Sequence, residues 1–148
     1  MPVTHEYIDI ACTREAAFDF IADPKKQADM NPSAREIRDF QGGQPKVGDH
    51  WTVIFDFMGR EIISTYTLIE SSPPLRLIYT HTSNSADIRI VWTFESALIG
   101  TRVTYYSNGQ PKGFFSTLAL NLVKGNFDSN VRNSLITLKN HLEVPATT

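Results

Sequence analysis

The sequence predicts an α+β fold: a curved antiparallel sheet of about seven strands wrapped round a long C-terminal helix, with two short helices after the first strand. Three observations lead to this prediction. Apolar and polar residues alternate through the middle of the chain, turn-forming residues interrupt that alternation at short intervals, and the last quarter has helical periodicity. Because 148 residues is a usual length for one domain, we expect a single domain over residues 1–148.

The first thirty residues combine one strand with two short helices. Residues Val3–Cys12 alternate with a period of two, which predicts the strand. Thr13 is suited to cap a helix because its hydroxyl can accept a hydrogen bond from a free backbone N–H. Asp23-Pro24 marks the start of the second helix, since proline at the first helical position lacks an N–H that has no partner there anyway. Asn31-Pro32 predicts its end, because a residue before proline avoids the helical conformation.

The middle of the chain, from about Ala34 to Ser107, predicts consecutive strands joined by short turns. The first of them covers Arg35–Gln41, and later turns are expected at Gly59-Arg60, Ser72–Pro74 and Ser83–Ser85. Strands linked in this way form an antiparallel meander with one apolar face. That face is predicted to carry Trp51, Val53, Phe55, Phe57, Ile62, Ser64, Tyr66, Leu68, Leu75, Leu77, Tyr79, His81, Ile88, Ile90, Trp92, Phe94, Val103 and Tyr105.

The last quarter, about Lys112–Glu143, predicts the long helix. Apolar residues recur there with the spacing of a single buried stripe. The stripe consists of Leu120, Phe127, Val131, Leu135, Leu138 and Leu142. The front part, Phe114–Val123, is apolar on nearly every side. That pattern is compatible with a fully buried segment, with the gate of a cavity or with a surface for a partner.

The composition argues against several classes of protein. Lys and Arg total 14 against 16 Asp and Glu, a net charge of -2, whereas nucleic-acid binding relies on a basic surface. The single cysteine, Cys12, cannot form an internal disulfide. The sequence has neither a signal-peptide pattern nor a run of about 18 apolar residues, so we expect a cytoplasmic protein without stable membrane insertion. The sequence is compatible with a homodimer as well as with a monomer.

Several short segments, spread over almost the whole chain, resemble a known superfamily. They are Thr13–Pro24, Val47–Asp49 with Trp51, Glu70–Pro74 with Leu77, Gly100–Thr104 and Leu135–Glu143. In this order and spacing they are similar to the SRPBCC superfamily, the START-like or helix-grip fold, and within it to the polyketide cyclase/dehydrase-like group. The resemblance implies a hydrophobic ligand cavity between the sheet and the last helix. It implies no single reaction and supplies no catalytic residue, because members with this fold differ in function.

The richness in aromatic residues, 11% of the chain, suggests where a ligand binds. Large rings and hydroxyl groups are interleaved on the predicted apolar face, and a buried hydroxyl without a partner costs about 1–3 kcal/mol. A pocket that holds water or a polar ligand supplies that partner, although an ordinary core is the alternative. The predicted ligand-binding residues are Trp51, Phe55, Ser64, Tyr66, Tyr79, His81, Trp92, Phe94, Tyr105, Phe115, Leu118 and Leu122.

His81 and Tyr79 are the candidate catalytic residues. An imidazole titrates near neutral pH, which suits acid–base catalysis, and Tyr79 lies two residues earlier on the same predicted face. The alternative for His81 is a partly solvated residue beside the Ser83 turn. The four histidines are scattered and the chain has one cysteine, so we expect no metal site. No glycine-rich phosphate loop is present either, and we expect no cofactor.

These observations lead to one functional prediction with two alternatives. The first is a carrier or sensor that binds a small hydrophobic or aromatic molecule in a cavity between the sheet and the last helix. The second is a polyketide cyclase/dehydratase-type enzyme that uses His81 and Tyr79 for acid–base chemistry. The third is a protein-interaction module that uses the apolar front of the last helix, Phe114–Val123.

Overall fold

The computed structural model describes residues 3–40, 42–112 and 117–143, with residues 117–123 described by their backbone only. Its helices and strands follow the order that the sequence predicts, with two short helices between the first and second strands. In chain order they are β1 (Val3–Ile10), α1 (Arg14–Ala22), α2 (Pro24–Met30), β2 (Ala34–Arg38), β3 (His50–Phe57), β4 (Arg60–Ser72), β5 (Arg76–Thr82), β6 (Ala86–Ala97), β7 (Gly100–Pro111) and α3 (Thr117–Leu142).

The strands form one antiparallel sheet in the order β1-β7-β6-β5-β4-β3-β2. Strands β2 to β7 pair with their neighbours in sequence, whereas β1 pairs with the last strand, from Val3 opposite Asn108 to Ile10 opposite Thr101. One long helix lies across the inner face of this sheet. The predicted fold class, a curved sheet of seven strands round a C-terminal helix, is therefore confirmed.

The two short helices begin and end where their capping residues predict. The hydroxyl of Thr13 accepts a hydrogen bond from the backbone N–H of Ala16 at 3.1 Å, and the carboxylate of Asp23 accepts one from Lys25 at 2.9 Å. Pro24 is the first residue of α2, and Asn31 follows its last turn. These caps satisfy backbone donors that have no partner inside the helix.

The turn between β3 and β4 lies one residue earlier than the sequence predicts. Phe57 pairs with Arg60, so the two-residue turn consists of Met58 and Gly59 rather than Gly59-Arg60. Both turn residues have positive φ, 54° and 77°, as a type I′ hairpin requires. This turn sets the register of the two strands, and the register places Trp51 opposite Tyr66.

Other boundaries differ from the predictions at the ends of elements. Strand β2 ends at Arg38 rather than at Gln41, while β7 continues to Pro111 because it pairs with β6 over its whole length. Lys112 therefore follows a strand instead of opening the last helix, and its backbone N–H donates to Ser85. The described part of α3 begins at Thr117.

The sheet and the last helix are closely packed at one end of the molecule. Phe18 of α1 contacts Phe94 edge to face at 5.5 Å, and Leu135 and Leu138 of α3 are fully buried. Beyond them, the backbone N–H of Ala11 donates to the Glu143 carboxylate at 2.7 Å. We refer to this region as the closed end.

No helix within residues 3–40, 42–112 and 117–143 is long and apolar enough to cross a membrane.

Candidate functional site

A cavity of about 780 Å³ lies between the inner face of the sheet, α2 and α3. It reaches the surface beside the turn between β3 and β4, where the exposed residues Arg60 and Glu61 form part of its rim. The side chains that the sheet contributes are mainly large and apolar. They include Trp51, Val53, Phe55, Tyr66, His81, Ile88, Ile90, Trp92 and Tyr105.

Four of these residues form a row across adjacent strands. Trp51 pairs with Tyr66, Tyr66 with His81, and His81 with Ile88. The rings of Trp51 and Tyr66 are stacked with centroids 6.1 Å apart, and Tyr66 meets the His81 ring edge to face at 4.9 Å. Because β-strands project alternate residues to the same face, the pairing places one ring from each of β3, β4 and β5 in this row, and the aliphatic Ile88 of β6 completes it.

A second aromatic pair completes the sheet side of the cavity. Trp92 and Tyr105 are cross-strand neighbours whose rings meet edge to face at 5.0 Å. The indole N–H of Trp92 has no hydrogen-bond partner among the described residues. Burial raises the pKa of both Tyr66 and Tyr105 above the ordinary value of 10.0, so their hydroxyls stay protonated at neutral pH.

His81 has a pKa closer to neutral pH than Tyr66 and Tyr105, the two tyrosines on the sheet side of the cavity. Burial lowers its pKa from 6.5 to about 4, and the charge of Asp87 opposes this shift only in part. Asp87 is exposed and forms an ion pair with Lys112 at 3.2 Å. The imidazole is therefore neutral at pH 7, with one donor and one acceptor nitrogen. Its Nδ1 atom has no hydrogen-bond partner among the described residues.

Tyr79, predicted to act beside His81, lies in the packed core instead of the cavity wall. Its side chain is fully buried, and its hydroxyl donates to the backbone carbonyl of Ile21 at 3.2 Å. The amide of Gln27 donates to the same carbonyl at 2.8 Å. Tyr79 thus joins β5 to the end of α1, whereas the strand register makes Tyr66 the cross-strand neighbour of His81.

Two further predicted ligand-binding residues also lie away from the cavity. Phe94 is 1% exposed and packs against Phe18, because α1 covers that part of the sheet. Ser64 is fully buried without a hydrogen-bond partner among the described residues, and it does not line the cavity. Both share the inner face predicted for them, but the elements that cover this face differ along each strand.

The remaining predicted contacts are those that the sequence assigns to the front of the last helix. Phe115 falls outside the described residues, and for Leu118 and Leu122 only the backbone is described. The same applies to the predicted gate or partner surface, Phe114–Val123. These residues therefore stay a prediction.

The helix side of the cavity carries polar residues that sequence reasoning missed. Ser33 donates to the side-chain oxygen of Asn130 at 2.7 Å, and the Asn130 amide donates to Asn31 at 3.0 Å. Ser134 donates to the backbone carbonyl of Asn130 at 2.9 Å. All four line the cavity. A signal existed, because Asn130 and Ser134 share the face of the apolar stripe through Phe127, at i+3 and i+7 from it.

Within residues 3–40, 42–112 and 117–143, no three His, Cys, Asp or Glu side chains come together as a metal-binding group would require. The polar groups described above are amides, hydroxyls and ring nitrogens. The arrangement is suited to holding a ligand through apolar contacts and a few hydrogen bonds.

The seven-stranded sheet, the two short helices and the long helix across the sheet define a START-like protein with the helix-grip fold. The chain belongs to the family described as polyketide cyclase / dehydrase and lipid transport, whose model matches residues 1–143. This finding confirms the resemblance drawn from the sequence. No curated protein matches the chain in a sequence search.

Solved structures with the same fold differ widely from this chain in sequence. A protein from Thermus thermophilus has a TM-score of 0.82 at 15% identity, covering 99% of this chain and 100% of its own. An aromatase/cyclase from Streptomyces has a TM-score of 0.79 at 13% identity, covering 95% and 93%. A START superfamily protein from Mycobacterium smegmatis has a TM-score of 0.75 at 10% identity, covering 95% and 97%. At these identities the likeness concerns the fold alone.

Proposed function

We propose that this protein binds a small, largely apolar molecule in the cavity between the sheet and α3, as a carrier or sensor. The observation that carries the proposal is the aromatic-lined space of about 780 Å³. Sites for small molecules typically enclose about 300–1,000 Å³, with mostly apolar walls and a few polar groups. The row from Trp51 to Ile88 supplies such an apolar wall. The polar groups come from the opposite side of the cavity, where Asn31 and Asn130 are joined by a hydrogen bond.

Binding would draw on the burial of apolar surface. A ligand that buries about 200 Å² of apolar area gains roughly 5 kcal/mol, at about 25 cal/mol per Å². Loss of translational freedom and desolvation of polar groups offset part of this gain. The polar groups of the wall then contribute orientation more than affinity. We therefore expect selectivity for shape and for the position of a polar atom.

Native mass spectrometry of freshly purified protein tests the proposal. We expect a bound small molecule in the wild type. Ile88→Trp should displace it, because Ile88 lies in the cavity wall next to His81 on the neighbouring strand and the larger side chain would fill the space. Arg89→Trp is the matched control, since the next side chain is exposed and points to the other face of the sheet. If the wild type carries no molecule, 2-naphthol titrated by calorimetry takes its place with the same variants.

The proposal fails if a bound molecule persists in Ile88→Trp at the wild-type level, because the molecule then occupies another part of the surface. It also fails if the wild type neither retains a molecule nor binds 2-naphthol or comparable apolar probes. Loss of binding in Arg89→Trp as well would indicate general unfolding, which a thermal melt of each variant detects.

A cyclase/dehydratase-type enzyme is the second candidate function. The observation that favours it is the neutral His81 imidazole in the cavity wall beside Tyr66, within a family whose description includes cyclases and dehydrases. A neutral imidazole can accept a proton from a bound substrate, and Tyr66, whose hydroxyl is protonated, can donate a hydrogen bond to a carbonyl. In this role Tyr66 replaces the Tyr79 predicted from the sequence.

Turnover of the compound identified by mass spectrometry separates the two functions. An enzyme predicts that His81→Gln lowers the rate by about 100-fold while affinity stays nearly the same. Tyr79→Phe is the control variant, since the Tyr79 hydroxyl is bonded to Ile21 outside the cavity wall. A rate unchanged in His81→Gln, or absence of any product, leaves the carrier or sensor role as the function.

A further inference from the structure

We propose that the cavity accepts uncharged ligands that carry a hydroxyl or carbonyl oxygen, and that it rejects the matching carboxylates. The inference rests on the proposed function, because it names the class of ligand for the same cavity. It is carried by the chemical nature of the wall: its interior is built from neutral groups, two of which have unused hydrogen-bonding capacity.

The charged residues of the described wall lie at the rim. Arg60 and Glu61 are adjacent in sequence, exposed and of opposite sign. Exposed charges of this kind interact only weakly with an ionic partner, because water screens them, and the two opposite charges cancel at a distance. Asp87, the charged residue that influences the pKa of His81, is also exposed and forms an ion pair with Lys112. A carboxylate inside the cavity would therefore find no buried counter-charge among the described lining residues, and a buried unpaired charge is costly.

Two ring nitrogens, Trp92 Nε1 and His81 Nδ1, could each form a hydrogen bond with a neutral polar group. Trp92 Nε1 is a donor only, so it requires an oxygen or nitrogen acceptor. His81 Nδ1 belongs to an imidazole that is neutral at pH 7, so the ring balances an anion only by taking up a proton against the burial that lowers its pKa to about 4. Both atoms are buried without a partner among the described residues, a state that is energetically unfavourable for each of them. The residues that carry them line the cavity, so a ligand hydroxyl or carbonyl that reaches either nitrogen satisfies it without bringing a charge into the cavity.

Three probes that share one ring system test this selectivity at pH 7 by isothermal titration calorimetry. 2-Naphthol and methyl 2-naphthoate are uncharged, whereas 2-naphthoate carries a full negative charge because carboxyl groups titrate at about pH 4. We expect both neutral probes to bind, and the carboxylate to bind at least tenfold more weakly than its methyl ester. Equal or tighter binding of 2-naphthoate would overturn the inference while leaving the proposed function intact.

A variant that adds a cation to the wall provides a second, independent readout. Ile62 is half-buried and lines the cavity, so Ile62→Lys should raise the affinity for 2-naphthoate at least fivefold and leave that for the methyl ester equal or lower. Ile63→Lys is the matched control, because Ile63 is 55% exposed on the other face and the variant has the same net charge. A similar gain in Ile63→Lys would mean that the overall charge, not the cavity wall, determines the preference.

The outcomes keep the two proposals apart. If none of the three probes binds the folded wild type, both the proposed function and the charge selectivity fail for this class of ligand. If all three bind alike, only the charge selectivity fails. Because the probe comparison uses the wild-type protein, it does not depend on whether Ile62→Lys folds.

Discussion

The closed end of the molecule and the part that holds the cavity, which we call the cavity end, use the same face of the same sheet in opposite ways. At the closed end, Phe94 packs on Phe18 of α1 and Leu138 of α3 is fully buried. At the cavity end, Tyr66 and His81 project from the same face but border open space. The difference teaches that the covering helices, rather than the strands, decide where this sheet has a core and where it has a pocket.

Energetically, the two ends should therefore respond differently to the loss of side-chain volume. A side chain enclosed on all sides leaves a cavity when it is truncated, and the lost contacts are not replaced. A side chain that borders an existing cavity already lacks contacts on one side. The predictions below use this contrast, from the largest expected effect to the smallest.

The largest effect is expected at the closed end. Leu138→Ala should lower the free energy of unfolding by about 3 kcal/mol, within the usual range for a fully buried leucine. Phe127→Ala removes a larger side chain, yet it should cost only about 1 kcal/mol, because Phe127 is half-buried on the cavity wall. Urea denaturation at pH 7 measures both values.

The comparison of these two variants fails if Phe127→Ala destabilises the protein as much as Leu138→Ala. That result would mean that Phe127 is enclosed in solution and that the cavity end packs as tightly as the closed end. A denaturant slope unchanged from the wild type in both variants verifies that the unfolded states are comparable.

The second effect concerns the pH dependence that His81 brings to the cavity end. Its pKa of about 4 in the folded protein lies below its ordinary value of 6.5, so the unfolded chain binds the proton more readily. The contribution of His81 to stability is therefore fully present above pH 6.5 and decreases as the pH falls towards 4. Because His81 is half-buried, we expect the loss to reach roughly 2 kcal/mol rather than the full value of the shift.

Urea denaturation of the wild type and His81→Phe at pH 7 and pH 4.5 isolates this contribution. Carboxylates also titrate in this range, but they do so in both proteins. The wild type should therefore lose about 1–2 kcal/mol more than His81→Phe between the two pH values. An equal loss in the two proteins would show that His81 is solvated and titrates normally.

Much of the fold followed from local patterns in the sequence. The caps Thr13 and Asp23 mark helix starts by hydrogen bonds to nearby backbone N–H groups, which depend on a few adjacent residues only. Alternation likewise assigned Trp51, Tyr66 and His81 to one face, because a strand has a period of two. Where the boundary differed, as at Met58-Gly59, pairing between strands rather than residue preference decided it.

The composition of the candidate site was harder to predict, since it depends on contacts between distant elements. Tyr79 and Phe94 share the face of Tyr66, and no local pattern shows that α1 covers the first two and leaves the third open. The bond from Tyr79 to Ile21 joins residues 58 positions apart. Asn130 was missed for the opposite reason, because a polar residue within a helix is usually exposed, whereas its amide here bonds to Asn31 on the helix side of the cavity.

The smallest effect separates two tyrosines that the sequence places on the same face. Tyr79→Phe removes the hydrogen bond to Ile21 at the closed end, so it should lower the free energy of unfolding by about 1 kcal/mol and leave affinity for 2-naphthol unchanged. Tyr66→Phe should leave stability within about 0.5 kcal/mol of the wild type, because its hydroxyl belongs to the cavity wall, and should change the affinity for 2-naphthol by two- to fivefold.

Thermal melts and calorimetric titrations of the two variants measure these opposite profiles under one set of conditions. Each tyrosine is the control for the other, since both changes remove a phenolic oxygen from the same face of the sheet. If Tyr66→Phe proves as destabilising as Tyr79→Phe and neither alters binding, both hydroxyls belong to the core. The division between a closed end and a cavity end would then not describe the sheet at β4 and β5, because its inner face would be packed throughout.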